Sequence, residues 1–103
     1  MDTELLDAAT ENELDATVFR RLLAHFDENK NVQNIELMIL AGFCRNCLSK
    51  WYAEAAAEKG IPLDLNAARE RVYGMPYSEW KDKYQAPATE EQMARFEAVQ
   101  RKA

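Results

Sequence analysis

The sequence predicts an all-α fold of four to five helices packed around one long central helix, about residues 32–59. Three observations carry that expectation. Apolar residues recur at spacings of three and four, and no stretch sustains the alternation of a half-buried strand. Glycine and proline are rare, with three of each. Start and stop signals for helices also recur along the chain.

The elements follow in order. Met1–Ala9 carries few apolar positions and is expected to fray. "TENE" offers a capping box, with Thr10 as N-cap and Glu13 reaching back to it. Leu14, Val18, Leu22 or Leu23, and Phe26 then mark one apolar face of a helix ending near Asn29, before the polar turn "ENKN". The central helix starts between Val32 and Asn34, with Gln33 and Asn34 as capping residues. It stops at Gly60, a left-handed cap before Ile61-Pro62.

Along it, Leu40, Cys44, Cys47, Leu48, Trp51 and Ala55 form one stripe, with Arg45, Asn46, Ser49, Lys50 and Glu54 turned away. Upstream, "LMILAGFC" is apolar on every side and demands cover on every side. Gly42 inside a helix costs up to about 1 kcal/mol relative to alanine, which a close helix approach or a local kink would offset. Asp64 or Asn66 caps a third helix through Val72, ended by Gly74. Pro76 opens a brief helix carrying Trp80 and Tyr84. After "APAT", Thr89 with Gln92 gives a second capping box for a last helix bearing Met93, Phe96 and Val99 or Gln100. Residues 1–103 read as a single domain.

Charge and composition narrow the function. The chain carries a net charge of −5, with 48% hydrophobic and 30% charged residues. General electrostatic affinity for nucleic acid or an anionic membrane surface is disfavoured. Residues 1–28 hold eight acids against two arginines, a net of −6, so the remainder sums to +1; a solvated helix surface is the simpler reading of that acidic end. The longest uncharged apolar run, Leu37 to Cys44, falls far short of the roughly 20 residues that span a bilayer. The acidic opening has no export signal, so the two cysteines are expected as reduced thiols in the cytoplasm.

Four segments are familiar together: "NVQNIELM", "LAGFCRNCLSKWY", "VYGMPYSEWK" and the closing "YQ…AT.EQ". They resemble a family of short bacterial proteins, the domain of unknown function numbered 1244, from about Asn31 to Gln92. The resemblance implies a compact helical fold and a bacterial cytoplasmic setting, and it implies no activity.

Cys44 and Cys47 are the residues most suggestive of chemistry. On a continuous helix they share a face. A redox pair needs a thiol activated by a helix N-terminus, whereas this spacing sits mid-helix with no strand before it, and a disulfide would strain the helix. For zinc, two thiolates supply half of a tetrahedral set. His25, the single histidine, is the third candidate, and a carboxylate or a second subunit would complete the site. "HFD" followed by "FCRNC" is a near miss to the zinc deaminase signature, with Asp27 in place of glutamate and Phe43 in place of proline. Leu48 stands where haem attachment needs histidine. The simplest reading is packing, because free cysteine is among the most buried residue types.

Two further groups suit an interaction surface. Arg45, Asn46 and Lys50 place cations and an amide at helical spacing beside Trp51 and Tyr52. Tyr73, Tyr77 and Trp80, with Tyr84, gather aromatic area around a Gly-Met-Pro turn. No phosphate-binding glycine loop, dinucleotide fingerprint or zinc-protease signature is present, and Ser49 and Ser78 are the only serines. The expectation is a small cytoplasmic helical protein that uses no cofactor and acts through protein contacts. Homodimerisation follows from the all-round apolar segment. The alternative is a zinc- or thiol-dependent site built on Cys44 and Cys47.

Overall fold

A computed structural model of the chain describes residues 6–102. Those residues form six helices and no strand: α1 (Ala8–Glu28), α2 (Asn34–Ala41), α3 (Arg45–Glu58), α4 (Leu65–Tyr73), α5 (Tyr77–Tyr84) and α6 (Glu90–Lys102). The all-α expectation holds. The expected fraying of residues 1–9 lies outside the described residues for 1–5, and Ala8 and Ala9 are already helical.

The long central helix does not exist as one piece. Gly42 adopts φ 75° and ends α2 as a left-handed cap, its N–H donating to the Met38 carbonyl. Phe43 follows, then Cys44 in extended conformation becomes the N-cap of α3. Residues 32–59 are therefore two helices with a sharp joint, and a glycine expected inside a helix is instead its terminator. Gly60 and Gly74 adopt the same left-handed conformation at the positions foreseen for them.

Local signals otherwise set most boundaries. Asp64 caps α4, accepting from the Ala67 amide at 2.8 Å, and Gly74 closes that helix. The second capping box is complete: the Gln92 side chain accepts from the Thr89 amide, and Thr89 Oγ1 accepts from the Gln92 amide. The first is displaced. Asp7, not Thr10, caps α1, its carboxylate accepting from the Thr10 amide at 2.7 Å. That bond holds the exposed Asp7 carboxyl below its usual range.

The core gathers Leu23 and Phe26 of α1, Leu48 of α3, Val72 and Tyr73 of α4 and Trp80 of α5. Its organiser is the short α4, which packs against α1, α3 and α5. Ala68, Val72 and Tyr73 recur along α4 at spacings that put them on its inward side, and all three are buried. The remaining pair is α2 against α6, and Leu37 of α2 packs against the edge of the core. Gln33 adds a polar tie. Its side-chain amide donates to the Tyr84 carbonyl at 2.9 Å and accepts from the Ala86 amide at 2.8 Å, so the α5–α6 linker is tied to the start of α2.

Candidate functional site

Two groups of side chains meet where α2 gives way to α3. The first is polar and internal. Because the joint at Gly42 restarts the helix at Arg45, the guanidinium turns inward and is only 2% exposed. It donates to the backbone carbonyls of Asn29 and Val32 and to Asn34 Oδ1, at 2.8–3.1 Å. Its Cζ lies over two rings, 5.2 Å from the Phe26 ring centre and 5.0 Å from that of Trp80. Among the described residues it makes no ion pair. Burial lowers its pKa from the ordinary value.

Beside it, the Tyr73 hydroxyl accepts from Asn34 and donates to Asn46 Oδ1. Burial pushes the Tyr73 phenol well up, with the Asn34 hydrogen bond acting in the opposite direction. Tyr73 also packs edge-on to Trp80 and tilted against Tyr77. Every donor of this network that the structure pairs has an internal partner, and its chemistry is structural: a buried cation held by carbonyls, an amide and aromatic faces.

The second group is sulfur. Cys44 is 6% exposed, while Cys47 and Met38 are half-buried. Cys47 Sγ lies 3.9 Å from Met38 Sδ across the α2–α3 joint, and Cys44 and Cys47 stand three residues apart at the start of α3. Both cysteines are free. Cys44 is an N-cap, not a mid-helix residue, which removes the geometric objection raised on a continuous helix. Its side chain nevertheless makes no regular capping hydrogen bond. Burial raises the Cys44 pKa, and the first-turn amides of Cys47 and Asn46 only partly oppose that rise.

The other expected site residues fall as follows. His25 is exposed on the last turn of α1. It does not join the cysteines: among the described residues no group of three or more His, Cys, Asp or Glu side chains is placed to hold a metal ion. Of the two proposed interaction groups, Arg45, Tyr73 and Trp80 are buried, Asn46 and Tyr77 are half-buried, and Lys50 is exposed. Burial turns most of that constellation into one internal network instead of a surface. Asn46 and Tyr77, with Gln33, Asn34, Gln85 and Ala86, line a shallow cleft above it. Two of the three oxygens that hold this cation are backbone carbonyls, of Asn29 and Val32, so only the Asn34 side chain could have signalled it in the sequence. No comparable signal marked Met38.

Apolar surface is prominent elsewhere. The expected stripe is broken: Leu48 is buried, but Leu40 is 84% exposed and Trp51 is 51% exposed, stacked on Phe43. Tyr52, about 100° round the helix from Trp51, stacks on Phe19 of α1 instead. α2 is the most apolar of the six helices, yet none of its residues is buried. No described helix is long and apolar enough to cross a membrane.

A search among proteins of curated function finds no match. The pattern of one protein family, described as "Protein of unknown function (DUF1244)", matches residues 32–98. The match runs from just before α2 into α6 and takes in the joint, both cysteines and the Arg45 network. It covers about two thirds of the chain, and the protein belongs to that DUF1244 family.

Proposed function

We propose that the protein acts through protein–protein contacts, as a cytoplasmic homodimer whose interface is centred on α2. The observation that carries this reading is the contradiction within α2: the sequence NIELMILA is strongly apolar, but no residue of it is buried and Leu40 is nearly fully exposed. An apolar helix face left in water is the usual mark of an interaction surface.

Size supports a second copy as the occupant. The chain exposes 7676 Å², against about 5,900 Å² for a compact monomer of this mass. The surplus, about 1,800 Å², exceeds the roughly 800 Å² that each partner contributes to a standard interface. The radius of gyration agrees: 16.1 Å, where a compact chain of this length has about 13 Å. A two-fold axis lets one patch cover its own copy, so a single sequence feature completes both subunits. The two free thiols suit a reducing compartment.

Sedimentation equilibrium at micromolar concentration tests this. The expected mass is twice 11.8 kDa. Leu40→Glu should return the mass of one chain while leaving the helical circular dichroism unchanged, since Leu40 packs on little within its own subunit. A wild-type protein that stays at one chain mass up to 100-fold higher concentration would overturn the proposal.

A further inference from the structure

The α2–α3 joint brings three soft ligands together, and they come from two helices. Met38 lies in the last turn of α2, while Cys44 and Cys47 occupy the N-cap and the first turn of α3. We propose that Met38, Cys44 and Cys47 form a three-sulfur site for one soft monovalent metal ion, Cu(I) being the biological case.

Geometry is the first argument. Two sulfurs bound to one ion at about 2.3 Å each, in a trigonal plane, stand about 4.0 Å apart. Met38 Sδ and Cys47 Sγ already stand 3.9 Å apart. Cys44, the N-cap of α3, stands one helical turn before Cys47 on the same helix start and is the third sulfur. The donor set then selects the ion. A thioether beside two thiolates, three sulfurs in all, suits trigonal Cu(I), whereas a structural zinc site takes four ligands. No His, Asp or Glu joins the cysteines among the described residues.

Charge is the second argument. Binding Cu(I) displaces one proton from each thiol, so two thiolates and one monovalent ion leave a net charge of −1 at the site. The adjoining residue in sequence is Arg45, a buried cation with no ion-pair partner among the described residues. Its charge balances the loaded site. Entry is open through the half-buried Met38 and Cys47, while Cys44 forms the floor. A bound ion would clamp α2 to α3 across the Gly42 joint, adding to the Arg45–Asn34 hydrogen bond that already links them.

The test is an anaerobic titration of the reduced full-length protein with Cu(I) held as its coloured bicinchoninate complex. One Cu(I) per chain should be withdrawn from the chelator, with X-ray absorption showing three sulfur neighbours at about 2.3 Å. Met38→Leu, which conserves volume and folding, should weaken uptake at least tenfold and reduce the sulfur count to two. Cys47→Ser should abolish uptake. Four results would overturn the proposal. They are no withdrawal by the wild type, uptake by Met38→Leu equal to wild type, a stoichiometry of one ion per two chains, or Zn(II) bound as tightly as Cu(I). Circular dichroism of each variant separates lost ligation from lost folding.

Discussion

The guanidinium carbon of Arg45 lies over the indole of Trp80, 5.0 Å from its ring centre, with both side chains shut off from solvent. The two residues stand 35 positions apart in sequence, and their contact ties the start of α3 to α5. Arg45→Met would keep the bulk but leave two backbone carbonyls and Asn34 Oδ1 without their donor. Each unsatisfied buried group costs about 1–3 kcal/mol, so the variant should lose about 3 kcal/mol of stability. Arg45→Lys keeps the charge without the planar fork and should lose less. Urea midpoints of the three proteins give the order directly. Equal midpoints would show that the network carries no net stability.

Gly42 discriminates between a continuous and a broken helix by the sign of one substitution. In an unbroken helix, Gly42→Ala would stabilise by up to about 1 kcal/mol. At φ 75° the added methyl meets no atom within 4 Å, so only backbone strain acts, and the substitution should destabilise by about 1 kcal/mol. Thermal unfolding of the single variant reads that sign.

Gln33 spans 51 residues of sequence to reach Tyr84 and 53 to reach Ala86. Gln33→Ala should free the Ala86 amide and loosen the α5–α6 linker, at a cost of about 1–2 kcal/mol. Amide exchange should accelerate at Ala86 and along the first turn of α6, while exchange in α4 stays unchanged. Uniform acceleration across the chain would contradict a local tether.

Alkaline pH acts through two buried acids. Cys44 and Tyr73 both have raised pKa values, burial being the main cause in each. The folded state holds their protons more tightly than the unfolded one, so stability is fully present below the unfolded pKa and falls as pH rises through the folded one. The decline should begin near the ordinary thiol value of 9.0 and steepen above the ordinary phenol value of 10.0. Cys44→Ala should remove the first part of the slope and Tyr73→Phe the second. The lowered pKa of Arg45, again caused by burial, works in the opposite direction. Urea midpoints measured between about pH 7 and 11 test each leg; a flat profile in the wild type would contradict the burial of both groups.

What the sequence alone determined is local. The limits of α4 between Asp64 and Gly74, the Thr89–Gln92 box of α6 and the end of α1 near Asn29 all stand. Capping bonds and helical periodicity act over three or four residues, and a reader of the chain has all the partners in view. The tertiary structure decided the rest. "LMILAGFC" is apolar all round, so periodicity offered no face by which to see that Gly42 leaves the helix. Charge patterning sent Arg45 to solvent, because the Asn29, Val32 and Asn34 oxygens and the Phe26 and Trp80 rings that hold it inside converge only after the chain turns at the joint. The same turn brought Met38 to the cysteines and left Leu40 facing water. Long-range contacts chose among locally equal conformations, and they set both the buried network and the exposed face.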